Sequence, residues 1–230
     1  MDVIILAGGK GTRLSSAVRD VPKPLAPVAG KPFLEHLIDF VNAASIAGNV
    51  IISIGHKAGP MRDWSSRFPE KIILVEETEP LGTGGAIRLA LDTAVMTSTV
   101  LVMNGDSFMG MDLAAMASSH KASGCSLTIA ITEVPDVSCF GEVRVACGRV
   151  SGFLEKSGKF HAGLINAGVY MLEKHALSRF PEGASSFEHE VIPEFLDLGI
   201  NAYHADGVFI DIGTPESYAR SAQILGLATE

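Results

Sequence analysis

Val3-Ile4-Ile5-Leu6-Ala7-Gly8-Gly9-Lys10-Gly11-Thr12-Arg13-Leu14 opens the chain with an apolar run that ends on clustered glycines. A short continuous run of this kind, halted by glycine, is the pattern of a parallel strand buried on both faces and delivering a loop. Pro32 then opens a stretch in which Phe33, Leu34, Leu37, Ile38 and Val41 recur on one helical face, and Gly48-Asn49 stops it. Val50 to Ile54 and Ile72 to Val75 read as further strands, Gly84 to Ala94 as a second helix, and Val100 to Met103 as a fourth strand. The alternation predicts an α/β fold built on a doubly wound sheet.

After about residue 110 the texture changes. Leu127 to Ile131, Glu142 to Val145 and Val150 to Leu154 are strand-like pieces between short turns, which predicts a mixed, β-rich extension of the sheet rather than another βαβ unit. Phe187 to Leu198 reads as helical with a kink or restart at Pro193, and Val208 to Ile212 reads as a strand. Pro215 begins a terminal helix with Thr214 as its cap. No repeat, low-complexity stretch or linker interrupts the chain, so residues 1–230 read as a single domain.

Composition narrows the function classes. Hydrophobic residues at 47% and charged residues at 19% rule against a disordered chain. A formal net charge of -8 argues against a nucleic-acid partner, which would call for a basic stripe. Cys125, Cys139 and Cys147 show no C-x-x-C spacing and fit a reduced, cytoplasmic setting. No run reaches the length of a membrane span, and no basic segment precedes the first apolar run.

The first chemical signal is the glycine loop itself. Without Cβ atoms in the way, backbone N–H groups can approach a polyphosphate closely, and Lys10 and Arg13 add positive charge beside them. A dinucleotide fingerprint fails here, because the third glycine position after Gly9 and Gly11 is Leu14, and no Walker A string occurs. Taken alone, the loop is equally well an ordinary tight βα turn. Val21-Pro22-Lys23-Pro24-Leu25 then sets one lysine between two prolines, each of which biases its preceding residue toward extended geometry, so Lys23 reads as a cation on a stiff strut. Asn104-Gly105-Asp106 stands where the fourth strand ends, the place where ligands collect in open α/β sheets, and a carboxylate there suits Mg²⁺ bound against phosphate oxygens. Asp211 lies within the apolar run Phe209-Ile210-Asp211-Ile212, where an aspartate is costly to bury unless it binds something. A cap for the following helix is its bland alternative, and Thr214 is better placed for that.

The string G-G-x-G-T-R-L followed by P-K-P resembles the signature of the sugar-1-phosphate nucleotidyltransferase family. That resemblance implies a single-domain, Rossmann-like, doubly wound mixed sheet of the nucleotidyltransferase or glycosyltransferase-A type with a β-rich sugar-binding extension. It divides the chain into a nucleotide-binding half over about 1–110 and a sugar-binding half over about 111–230 that carries a second metal ligand. By correspondence, Leu6, Gly8, Gly9, Gly11, Thr12 and Arg13 hold the nucleotide, Arg13 contacts the departing pyrophosphate and Lys23 contacts phosphate. Glu79, Pro80, Gly82 and Thr83, within Glu79-Pro80-Leu81-Gly82-Thr83-Gly84-Gly85, fall in the nucleobase pocket, with Gly105 beside it. Three glycines there would leave room for a flat base against the backbone. The family pairs Asp106 with Asp211 as Mg²⁺ ligands, and catalysis falls to Arg13, Lys23, Asp106 and Asp211. Gly141, Glu155, Lys156, Asn166 and Gly168 occupy the sugar-phosphate positions, with Glu155 and Asn166 on the sugar and Lys156 on its phosphate. Without the family pattern, Glu155-Lys156 would read as a solvated pair.

Within the family the overall likeness is to D-glycero-α-D-manno-heptose-1-phosphate guanylyltransferases, which implies GTP and a sugar 1-phosphate as substrates and GDP-heptose for a bacterial surface polysaccharide such as a capsule. N-acetylmuramate-1-phosphate uridylyltransferases and mannose-1-phosphate guanylyltransferases are the enzymatic alternatives. A non-catalytic sugar-nucleotide-binding regulator would be expected to lack Arg13, Lys23, Asp106 or Asp211, and all four are present. A homodimer is compatible with these features. The seven histidines form no metal set, and Glu188-His189-Glu190 reads as a surface segment.

Overall fold

The computed structural model describes residues 1–9, 11, 14, 18, 21–68, 72–154, 158 and 160–226. In chain order its strands are β1 (Asp2–Leu6), β2 (Pro27–Val28), β3 (Lys31–Pro32), β4 (Val50–Ile54), β5 (Ile72–Glu76), β6 (Thr99–Asn104), β7 (Ser107–Met109), β8 (Leu127–Val134), β9 (Glu142–Ala146), β10 (Arg149–Leu154), β11 (Gly163–Glu173), β12 (Ile200–His204) and β13 (Phe209–Asp211). The α-helices are α1 (Phe33–Ala43), α2 (Ala58–Ser65), α3 (Gly82–Thr93), α4 (Leu113–Ser123) and α5 (Pro215–Ile224).

Nine strands form one sheet in the order β5-β4-β1-β6-β11-β8-β12-β10-β9. The β5, β4, β1 and β6 quartet is parallel, as its apolar runs require of strands covered on both faces. From β6 onward the sheet is mixed: β11 runs antiparallel to β6 and β8, β12 parallel to β8, and β10 antiparallel to β12 and β9. Alternation along β1 sends Val3 and Ile5 into one apolar core with Phe33, Leu37 and Trp64. Ile4 enters the opposite core with Ile87, Leu91 and Phe187, so the sheet is covered on both faces. Trp64 also donates its indole N–H to Glu35 at 2.8 Å, which gives the one tryptophan a packing role between α1 and α2.

Several elements differ from the sequence expectation, each for a physical reason. Helix α2 includes Gly59-Pro60, which reads as a breaker. Pro60 falls in the first turn, where its missing N–H leaves no bond unmade. Helix α4 buries only Leu113, Met116 and His120 among small and polar residues, so its apolar stripe is faint, and its Asp112 cap carries the start. Strands β11 and β12 were likewise absent from the reading. The expected kinked helix over 187–198 is instead a π-helical turn, Phe187–Val191, followed by a 3-10 turn, Ile192–Phe195. The break falls one residue before Pro193. Terminal helix α5 starts as expected at Pro215, with Thr214 accepting from the Ser217 N–H in a capping box.

One buried acid anchors the end of the sheet remote from the glycine loop. Asp2, 1% exposed, accepts from the N–H groups of Asn49, Met96 and Thr97 and from the Asn49 side chain. Burial alone would push its carboxyl up, but these bonds outweigh it and hold the group below 3.8. A depressed folded pKa adds stability above the unfolded value, and that contribution is lost as pH falls through the folded value. Asp2→Ala should therefore cost about 2–4 kcal/mol at pH 7. It should also shallow the acid limb of the stability curve below about pH 4, read by urea unfolding across pH. An acid limb unchanged from the parent protein would refute this role for Asp2.

Candidate active site

The carboxyl ends of β5, β4, β1 and β6 open into a cleft of about 760 Å³. Leu6 to Gly9 form its floor, Gly55 and His56 one side, and Glu77 to Pro80 with Gly82 and Thr83 the rim above. The floor is pinned on both flanks: the Gly105 N–H donates to the Leu6 carbonyl at 2.9 Å, and the His56 N–H to the Gly8 carbonyl at 3.4 Å. Gly8 makes room for Glu77, since a Cβ there would stand 2.5 Å from Glu77 Oε1 and the carboxylate would have to shift. Glu77 reaches over this glycine and accepts the Leu81 N–H at 2.8 Å, and burial pushes its carboxyl up. It thereby faces the cleft as an acceptor held by the backbone.

The rim glycines serve a purpose other than the one expected. Gly84 and Gly85 are buried against the 183–185 segment, where added Cβ atoms would meet Ser185 Oγ and the Gly183 carbonyl. Gly84 N–H and Ser185 N–H exchange bonds with the Ser185 and Leu81 carbonyls, both at 2.8 Å. These residues therefore allow backbone to pack on backbone, while Glu79, Pro80, Gly82 and Thr83 line the cleft.

At the centre stand the charged groups. Lys23 Nζ lies 2.7 Å from Asp106 Oδ2 and 3.4 Å from Asp211 Oδ1, with its side chain 9% exposed. Lys23–Leu25 is a 3-10 turn, so Lys23 is not extended as the proline rule suggests. The turn is closed by Leu25 N–H to Pro22 and Ala26 N–H to Lys23. It aims the ammonium at the acid pair rather than along the loop. Asp106 and Asp211, far apart in sequence, are joined by the β7–β13 ribbon, in which Asp211 pairs with Ser107, and by the Ile212 N–H donating to the Asp106 carbonyl at 2.9 Å. Asp211 Oδ1 accepts the Gly213 N–H and leaves the helix cap to Thr214.

Two carboxylates gathered on one ammonium are the kind of oxygen donor that a divalent cation takes. Among the described residues no third His, Cys, Asp or Glu joins them. A divalent ion held here would draw its remaining ligands from water or substrate oxygens, the habit of Mg²⁺ rather than of a structural zinc.

Beyond Asp106, strand β11 supplies the far wall. Its register shifts between Asn166 and Tyr170, with Gly168 at φ +73° packed on Asn104 and Ser107. Tyr170 and Glu188 both line the cleft, and Asn166 bonds to each of them. Burial, and then the Glu188 charge, push the Tyr170 hydroxyl well above its ordinary value.

Leu6, Gly8, Gly9, Gly11, Lys23, Glu79, Pro80, Gly82, Thr83 and Asp106 thus converge on one cleft, and Asp211 joins through Lys23. Gly141 stands at the start of β9 beside Leu154 and is not among the lining residues. Thr12, Arg13, Glu155 and Lys156 lie outside the described residues. Glu77, Tyr170, Glu188 and His189 were not singled out as site residues in the sequence reading. Glu188 and His189 are exposed, yet they form cleft wall rather than plain surface. The one available signal was Ser186-Phe187-Glu188, since a serine cap followed by a large aromatic fixes the residue after it.

The model of the nucleotidyl transferase family matches residues 2–226. The chain belongs to that family. Relatives of this nucleotidyl transferase include a mannose-1-phosphate guanylyltransferase of Mycobacterium tuberculosis, 36% identical over 96% of this chain. This chain spans 64% of that protein's length. A D-glycero-alpha-D-manno-heptose 1-phosphate guanylyltransferase of Campylobacter jejuni is 35% identical, with 95% of this chain and 97% of that protein covered. HddC from Yersinia pseudotuberculosis, solved alone and complexed with GMP-PN, superposes with a TM-score of 0.86 at 35% identity, covering 97% of this chain and 99% of that one.

The Gly8–Glu77 approach generates a test. Gly8→Ala should lower stability by about 1–3 kcal/mol, the cost of overpacking a filled site. In a Glu77→Ala background the same substitution should cost less than half as much, measured as a double-mutant cycle by denaturant unfolding. Additive losses would mean that the two residues do not press on each other.

Proposed function

We propose that the chain transfers GMP from GTP to a sugar 1-phosphate, D-glycero-α-D-manno-heptose 1-phosphate in the first instance, releasing pyrophosphate and forming GDP-heptose. The observation that carries this reading is the convergence of a glycine-floored cleft, a backbone-held carboxylate at one end and the Asp106–Lys23–Asp211 cluster at its centre. Guanine presents the donors N1–H and N2–H on one edge, and Glu77 offers the matching acceptor beside Gly8 and Gly82. A pyrimidine lacks that paired donor edge. The names of the C. jejuni and Y. pseudotuberculosis relatives, and the GMP-PN complex of the latter, support the same choice.

In this mechanism the nucleotide lies with its base toward Glu77 and its phosphates over Gly8, Gly9 and Gly11. Thr12 and Arg13 continue that loop, with Arg13 assigned to the departing pyrophosphate. The sugar phosphate is anionic near pH 7, so one of its oxygens attacks the α-phosphorus without a general base. As the new P–O bond forms, the bond to the β-phosphate oxygen breaks and its electron pair leaves with pyrophosphate. Catalysis is then alignment and charge neutralisation in a cleft of fixed dipoles. Mg²⁺ held by Asp106 and Asp211 would supply Lewis-acid polarisation of the phosphate oxygens. Lys23 carries the positive charge that keeps the two acids together and is assigned to phosphate. Lys156 is assigned to the acceptor phosphate, and Glu155, Asn166, Gly168 and Gly141 to the sugar side. On this reading residues 1–110 bind the donor, and residues 111–230 bind the acceptor and bring the second metal ligand.

The deciding measurement is Mg²⁺-dependent pyrophosphate release over all common nucleoside triphosphates against a panel of sugar 1-phosphates. Turnover confined to GTP and the heptose is expected. A preference for mannose 1-phosphate, as the M. tuberculosis relative's name invites, would move the acceptor and keep the chemistry. A preference for UTP would overturn the donor assignment.

The cation pair has its own test. Asp106→Ala and Asp211→Ala should each abolish turnover while the fold survives, as judged by circular dichroism. Lys23→Ala should lower Tm without metal, because two carboxylates then face each other uncompensated, and added Mg²⁺ should restore more of that Tm than it adds to the parent protein. Equal Mg²⁺ shifts in parent and variant would show that metal and ammonium do not compete for one place.

A further inference from the structure

Asn166, Tyr170 and Glu188 form a closed hydrogen-bonded trio on the far wall of the cleft. Asn166 Nδ2 donates to Tyr170 Oη at 2.8 Å and to Glu188 Oε1 at 3.2 Å, and the Tyr170 hydroxyl donates to the same Oε1 at 3.1 Å. Asn166 is itself fixed by its Oδ1, which accepts the Gly168 N–H at 3.0 Å. Both bonds fall on one carboxylate oxygen of Glu188, and Oε2 accepts neither of them. An exposed glutamate ordinarily samples many rotamers in water. This one is held from below by a tyrosine that is 1% exposed.

Its backbone is held as well. Phe187 packs edge-on against the Tyr170 ring at 5.0 Å and donates its N–H to Thr83 Oγ1 at 2.9 Å. Ser186 caps the turn by accepting the His189 N–H. The turn is π-helical, a wider winding that recurs where a side chain must be re-aimed. A carboxylate fixed by side chain and backbone alike, and facing a cleft, is a built acceptor. Its negative charge repels phosphate and suits hydroxyl donors, which Oε2 is placed to accept.

Strand order decides which hydroxyls these are. The cleft crosses the sheet from Glu77 at the end of β5, past Leu6 at the end of β1 and Asp106 after β6, to Tyr170 on β11. Four strand spacings separate its two ends, about 19 Å. With the base at Glu77, the ribose falls between it and the acid pair, and only the acceptor sugar extends beyond Asp106.

We infer that Glu188 is a specificity-determining residue that binds hydroxyls of the acceptor sugar, with Tyr170 and Asn166 as the residues that position it; the inference rests on the guanylyl-transfer reading above. The trio also sets the direction of the acceptor. Its charge turns the sugar's phosphate away, toward Lys23 and the acid pair.

The test compares parent protein, Glu188→Ala, Glu188→Gln and Tyr170→Phe by steady-state kinetics with the preferred sugar 1-phosphate and its monodeoxy analogues. Glu188→Ala should lower kcat/KM for the sugar phosphate by about 10²-fold, the scale of a lost charged hydrogen bond, with the KM for GTP within about twofold. Glu188→Gln should fall between the two, and Tyr170→Phe should lose part of the discrimination without losing the fold. The decisive readout is non-additivity. One hydroxyl deletion should cost the parent protein at least tenfold and cost Glu188→Ala almost nothing. A raised KM for GTP with an unchanged KM for the sugar phosphate would overturn the inference and place the trio on the ribose. Equal penalties for every deoxy analogue in parent and variant would reduce the trio to a structural strut. If the parent protein itself makes no guanylyl transfer with any sugar phosphate, the donor reading fails and this inference fails with it; the other failures leave that reading standing.

Discussion

Two carboxylates and one ammonium, from positions 23, 106 and 211, meet at the centre of the cleft, and much of the surrounding geometry follows from keeping them there. Burying an ammonium to 9% exposure is unfavourable unless opposite charge comes with it, and a single carboxylate would only neutralise it, leaving no net charge to attract a cation. With two acids and one ammonium the cluster is net negative by one charge, and a divalent cation bound there would turn it net positive by one, the sign that suits phosphate oxygens. That balance needs chain segments far apart in sequence to arrive together. Proline on either side of Lys23 fixes one segment, the parallel β1–β6 pairing delivers Asp106, and the β7–β13 ribbon carries Asp211 back across the cleft mouth.

What could be read from the sequence tracks how locally each feature is determined. β1 and β4 were legible because strands covered on both faces must be apolar at successive positions, and Val3 to Ile5 and Val50 to Ile52 are. Asp106 and Asp211 were legible for the converse reason: each breaks or ends such a run. β11 was not, since Asn166 and Gly168 interrupt its pattern at the register shift, where they are needed for the wall of the site. Its place between β6 and β8 also depends on chain crossings that no local pattern encodes. Glu77 and Glu188 carry no local signal, because what distinguishes them is a backbone N–H from Leu81 and a hydroxyl from Tyr170, partners supplied by the fold.

The glycines of the rim carry the same lesson in the other direction. A Gly82-Thr83-Gly84-Gly85 string read in isolation suggests space for a ligand. In the fold, all three glycines meet the 183–185 segment, whose carbonyls approach as closely as a missing Cβ allows. The ligand-facing wall is consequently made by what that contact brings in, namely Ser186 to His189.

That packing links the two ends of the cleft. Thr83 lies on the rim beside the proposed base position, and its hydroxyl holds the Phe187 N–H, one residue before Glu188. Ser185 is bonded through both its N–H and its carbonyl to the start of α3. Backbone bonds of this kind have little slack, and the aromatic stack of Phe180, Phe187 and Tyr170 fills the space behind them. The proposed acceptor wall is therefore not an independent loop grafted on the strands that carry the glycine floor. Its distance from the donor is set by the same hydrogen bonds that shape the rim, and a near in-line approach of two phosphates requires that distance to be fixed before either substrate arrives.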